Sequence, residues 1–180
     1  MTSAPPDPLD LKLVAGIPRF HGAVRSAAPA LAFGDRRLTF AELEADSSAA
    51  AQGLVALGLA PGARVAVLAE DSDEVVVLLF AIAKAGLVFT GINPRLTAGE
   101  VAYILEDGEV EALCGDAPRL ASLGEDRAGF DGPVVELGGA GPGSFRALVD
   151  DHPAVDPDLP ADPEDVFAQL YTSGTTGRPK

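Results

Sequence analysis

The chain has 180 residues, 47% of them hydrophobic, and at that length one domain buries roughly 70% of its unfolded surface. A formal net charge of −14 sets the whole molecule against nucleic acid and anionic membrane surfaces, so any phosphate site has to rely on local donors. The single cysteine, Cys114, excludes an internal disulfide and fits a reducing compartment. The opening MTSAPPDPLD lacks the basic and apolar regions of a secretory leader, which points to the cytoplasm.

Residues 1–29 read as an N-terminal extension, loose as far as about Pro18, and a first helix region. His21 has no second histidine or cysteine near it and reads as structural, neutral or solvated. Residues 30–33 and 37–38 predict a short hairpin around Gly34 and Asp35. Thr39 and Glu42 then have capping-box spacing, and Leu43, Ala50, Leu54 and Leu57 share one helical face that stops at Gly58 and Pro61.

Residues 64–68 predict a strand, and residues 72–85 are apolar on nearly all sides, which predicts a buried helix ending at Gly86. A membrane span over residues 75–92 is the weaker reading, because Lys84 and Gly86 interrupt it at mid-depth and divide it into a helix and a strand. The strand, residues 87–92, leads into Asn93, Pro94 and Arg95, read as a strand-to-helix turn. Thr97 and Glu100 form a second capping box for a helix with Val101, Ile104 and Leu105 on one face, closed by Gly108. Residues 112–114 predict another strand, with Cys114 as core rather than nucleophile.

Residues 133–137 predict a short strand, followed by Gly138, Gly139, Gly141 and Gly143. This is no dinucleotide fingerprint, since Ser144 fills the third glycine position, and a flexible connection is expected. Residues 150–165 carry Asp150, Asp151, Asp156, Asp158, Asp162, Glu164 and Asp165 with no lysine or arginine. They read as a solvated, proline-rich linker that includes His152. Alternating strands and helices argue for an α/β fold with a largely parallel sheet.

The closing run, VFAQLYTSGTTGRPK, joins a strand judged buried from Val166, Phe167, Leu170 and Tyr171 to a loop able to surround an anion with backbone N–H groups. Thr172, Ser173, Thr175 and Thr176 supply hydroxyls, Gly174 and Gly177 allow close approach, and Arg178 and Lys180 supply positive charge. Pro179 separates Arg178 from Lys180, so the spacing is not that of a P-loop NTPase.

Residues 171–180 resemble the phosphate-loop signature of the adenylate-forming superfamily, which includes acyl-CoA synthetases. LTFAEL (residues 38–43) and AKAGLVFTGINPRLTAGEVAYILEDGEVEAL (residues 83–113) resemble two earlier signatures, in the family's order. Asn93, Pro94 and Arg95 favour the fatty-acid-CoA ligase branch. The resemblance implies the N-terminal part of the large domain: an α/β subdomain over residues 30–149, the acidic linker 150–165, and at 166–180 the start of an incomplete second subdomain. It implies that Thr172, Ser173, Gly174, Thr175, Thr176, Gly177 and Lys180 hold the β- and γ-phosphates of ATP, with Lys180 as a charge and not a base.

ATP, Mg2+ and coenzyme A are implied as cofactors of the complete enzyme, and a carboxylic acid as its substrate, fatty acid first and aryl acid second. No residue of this chain is implied as catalytic or as a metal ligand, and no transmembrane segment is expected. The chain reads as an N-terminal fragment, inactive alone, that binds none of these cofactors tightly. The alternatives are a weak phosphate-binding module and an interaction fragment that complements a separately encoded remainder. The fragment is further expected to self-associate through exposed apolar surface, the helix over residues 72–85 being the main concern.

Overall fold

The protein is seen in a computed structural model that describes residues 11–172. Helix α1 (Gly16–Arg25) comes first, followed by an antiparallel hairpin of β1 (Pro29–Phe33) and β2 (Arg36–Thr39) that turns at Gly34 and Asp35. Gly34 takes φ +55, a left-handed conformation in which glycine is unstrained.

Helix α2 (Phe40–Ala56) starts at the anticipated capping box. The Glu42 N–H donates to Thr39 Oγ1 at 3.3 Å, and the Thr39 N–H donates to Glu42 Oε2 at 2.7 Å. Strand β3 (Arg64–Leu68) leads to α3 (Asp73–Lys84), which is capped by Ser72 Oγ accepting the Val75 N–H. Strand β4 (Val88–Gly91) leads to α4 (Ala98–Asp107), which repeats the capping box with Thr97 and Glu100.

Strand β5 (Val110–Asp116), α5 (Ala117–Ser122), β6 (Val134–Leu137), α6 (Phe145–Asp150) and β7 (Ala168–Leu170) complete the described chain. The five later strands form one sheet in the order β6-β5-β3-β4-β7, every pairing parallel. The α/β expectation is met.

Strand alternation divides the core in two, because successive side chains leave a strand on opposite faces. Val65 and Val67 of β3 pack with Leu54 of α2, Leu78 and Ile82 of α3, and Leu148 of α6. Ala66 and Leu68 face the other way, toward Val101, Ile104 and Leu105 of α4. With both faces covered, the strands read as apolar runs, as parallel sheets usually do.

Several sequence expectations need correction. The strand before the phosphate loop is not buried: β7 pairs with β4 at the edge of the sheet, and Val166 and Leu170 are each 67% exposed. Apolar residues in a strand do not reveal whether a neighbour covers it. Helix α3 has no exposed residue, so the concern about its surface is not met. It packs on α2, β1 and β4.

Gly108 ends α4 without using its freedom: its φ is −78, and Glu109 takes the left-handed conformation at φ +47. The position needs glycine for space. A Cβ there would stand 2.7 Å from the Ile104 carbonyl oxygen and 3.2 Å from Tyr171 Oη.

The glycine cluster after β6 is a closed turn in which the Glu136 N–H donates to Gly143 O. It ends on Ser144, whose Oγ accepts the Ala147 N–H and starts α6.

The acidic segment is not simply a solvated linker. Asp156 Oδ2 lies 3.1 Å from Lys84 Nζ and 3.0 Å from an Arg19 nitrogen, and Gln52 Nε2 donates to Val155 O at 2.9 Å. His152 is partly buried, with Nδ1 3.1 Å from Leu148 O.

Candidate phosphate-loop site

The carboxyl ends of parallel strands are where open α/β sheets hold ligands. Thr172 follows β7 at that edge and is exposed. Ser173, Gly174, Thr175, Thr176, Gly177, Arg178 and Lys180 lie outside the described residues. The geometry on view is therefore that of the loop's seat.

Strand β7 is held in register with β4 by the pairs Phe89 with Ala168, Thr90 with Gln169 and Gly91 with Leu170. Thr90 is fully buried, and its Oγ1 has no hydrogen-bond partner among the described residues. The Phe89 N–H donates to Phe167 O at 2.9 Å, tying the entry to the strand.

Tyr171 fixes the exit. Its phenol donates to Asp107 Oδ2 at 2.7 Å, receives a 3.4 Å bond from Gln169 Nε2, and packs against the α4 side of the core. Asp107 Oδ1 also accepts from Tyr103 Oη at 3.1 Å, so one carboxylate gathers both tyrosines. Burial first, then the hydrogen bond to Asp107 and after it the Asp107 charge, push the Tyr171 phenol up to about 12. The Tyr171–Asp107 anchor was not anticipated from sequence, because its partners stand 64 residues apart. The apolar face of α4 and the tight Gly108 were the available signals.

Next along the edge, Asp116 Oδ2 accepts the Glu70 N–H at 2.9 Å and Asp116 Oδ1 accepts the Arg119 N–H at 3.0 Å. The Arg119 guanidinium is paired with the Glu70 carboxylate. These charges fasten the loop after β3 to the start of α5.

The remaining sequence candidates take structural places. Burial pushes the Cys114 thiol up to about 12, which leaves it protonated and unreactive at neutral pH. His21 Nδ1 accepts from Arg25 Nε at 3.1 Å, and its pKa is lowered by burial and by the Arg25 charge. Asn93 Oδ1 accepts the Arg95 N–H at 3.0 Å and closes the turn before α4. Among the described residues no group of three or more His, Cys, Asp or Glu is arranged to hold a metal ion. No described helix is long and apolar enough to cross a membrane.

A cavity of about 760 Å3 lies elsewhere, at the amino ends of β3, β4 and β7, between Arg64, Leu87, Leu159, Pro160, Phe167 and Lys12. It opens at the opposite edge of the sheet from Thr172. Neither Tyr171 nor Thr172 lines it.

The pattern of the AMP-binding enzymes matches residues 20–180. The fatty acid–[acyl-carrier-protein] ligase ScoC of Streptomyces coeruleorubidus is 42% identical over 171 residues, covering 89% of this chain and 30% of that protein. The 3-hydroxybenzoate–CoA ligase of Aromatoleum sp. (strain CIB) is 38% identical over 158 residues, covering 84% of this chain and 30% of that protein. Among solved structures, the anthranilate CoA ligase AuaEII in complex with anthranoyl-AMP superposes with a TM-score of 0.82 at 30% identity. That overlap covers 93% of this chain and 33% of the ligase. The chain thus spans about 30% of the length of the curated relatives it matches. With both the sheet and the sequence matched over most of its length, the chain belongs to the AMP-binding enzyme family.

Proposed function

We propose that this chain supplies the N-terminal part and the phosphate loop of an ATP-dependent ligase. The complete enzyme joins a carboxylate oxygen to the α-phosphorus of ATP as the bond to pyrophosphate breaks. The thiol of coenzyme A then takes the acyl group and AMP leaves. Thr172 at the carboxyl end of β7, followed in sequence by three hydroxyl residues, two glycines and Lys180, is the observation that carries this reading.

Thr172 is exposed at this edge, and a hydroxyl residue there suits a phosphate oxygen. Bound MgATP supplies the electrophilic phosphorus. Thr172, Ser173, Thr175 and Thr176, with the N–H groups of Gly174 and Gly177, would hold the β- and γ-phosphates in line for attack, and Lys180 would add positive charge without acting as a base.

A fatty acid is the first choice of substrate and an aryl acid the second. Relatives named for each support both, and the name of ScoC adds an acyl-carrier protein as an alternative acceptor. In the proposed division, residues 30–149 form one subdomain, 150–165 connect it onward, and 166–180 open a second whose first strand extends the same sheet. The edge of β7, open among the described residues, favours a second reading, in which the chain docks with a separately encoded remainder and complements it.

Calorimetric titration of the 180-residue chain with ATP tests the loop. Weak binding that Thr175→Ala and Lys180→Ala each reduce is expected. Equal heats from all three proteins would remove the assignment. In a parallel assay with ATP, magnesium, coenzyme A and a panel of acids, this chain alone should form no acyl-CoA. Product there would show that the chain does not depend on a remainder.

A further inference from the structure

The acidic segment enters β7 and the loop, and three helices hold it at one short stretch. Arg19 of α1 pairs with Asp156 at 3.0 Å and with Asp158 at 3.3 Å. Gln52 of α2 donates to Val155 O. Lys84 at the end of α3 has a fully buried side chain whose Nζ lies 3.1 Å from Asp156, 2.6 Å from Glu44 and 2.8 Å from Ser48 Oγ.

A lysine charge taken wholly out of water is tolerated only with such a full set of acceptors. Two carboxylates answer it, Glu44 on α2 and Asp156 on the acidic segment, and Asp156 is shared with Arg19. The segment is shaped to reach them: the Asp158 N–H donates to Asp156 Oδ1 at 2.9 Å, and Asp158 takes φ +49. Beyond this point Leu159 lies along Gly86, a turn closes between Asp162 and Asp165, and Phe167 joins β4.

We propose that Lys84, Asp156 and Arg19 form a clasp that positions the acidic segment on the helical layer and thereby sets the entry of β7 into the sheet. Lys84 and Asp156 are positioning residues that act through β7. The inference rests on described residues alone and does not depend on phosphate binding, so the two ideas can fail separately.

Asp156→Asn is the deciding variant, because Lys84 keeps Glu44 and Ser48 and the core stays neutralised. Hydrogen exchange on the full 180-residue chain is read at the amides of β7, with β5 as an internal reference. Exchange at β7 should rise about tenfold while β5 is unchanged, the signature of local rather than global opening. Glu164→Gln removes the same charge from the same segment and should leave β7 as protected as before. Lys84→Met combined with Glu44→Gln removes the other half of the clasp and should open β7 to a similar degree. Unchanged β7 exchange in Asp156→Asn, equal opening in Glu164→Gln, or parallel loss of protection in β5 would each overturn the clasp.

Discussion

The Tyr171 phenol on the Asp107 carboxylate is a small contact with a measurable sign. Its pKa in the folded chain, about 12, lies above the ordinary value of 10.0, so the fold favours the protonated phenol. The stabilisation is fully present below pH 10 and is lost as pH rises through about 12. Phenolate absorbance followed against pH should show a late step from Tyr171, and Tyr171→Phe should remove it. If the late step stays in Tyr171→Phe, the assignment to Tyr171 fails. Asp156 illustrates the opposite direction. Burial, the largest single influence, raises its pKa, but the Asp158 N–H, Lys84 and Arg19 together outweigh it and hold the carboxyl below its usual range.

At the scale of elements, the capping boxes carry the most local information. Removing the Thr39 hydroxyl by Thr39→Ala leaves the Glu42 N–H without its partner and the Glu42 carboxylate with the residue-39 N–H alone at the start of α2. A loss of about 1 kcal/mol is expected in urea denaturation. Both boxes, the β3 and β4 strands and the apolar α3 were legible because their signals lie within a few residues of one another. The six-residue helices α5 and α6 were not, since so short a helix shows too little periodicity and only Asp116 and Ser144 mark their starts. The loop's hydroxyl and glycine run was legible as a local motif, whereas its seat was not. Lys84 read as an interruption of an apolar run, yet it finds Glu44 at a separation of 40 residues. Contacts of that kind leave no spacing to read, and the exposure of β7 depends on what stands beside it.

At the scale of the whole molecule, the main sheet has helices on both faces and, among the described residues, an open edge at β7. Val166 and Leu170 expose apolar surface there, with Val155 and Leu159 on the segment that leads to it. The chain is expected to bind an apolar-surface dye and to associate as its concentration rises, and Leu170→Lys should lower both. A dye-silent monomer at all concentrations would show that the edge needs no cover. The placing of β7 also orders events in time. The other pairings of the parallel sheet join strands closer in sequence, whereas β4 waits from Gly91 to Ala168 for its second neighbour. That is the largest loop closure in the sheet, and slow steps in folding follow such closures. A chain emerging N-terminus first can assemble β3 to β6 with their helices before β7 exists. That strand is then added to a finished edge, which makes β7 the last strand of the described sheet to form.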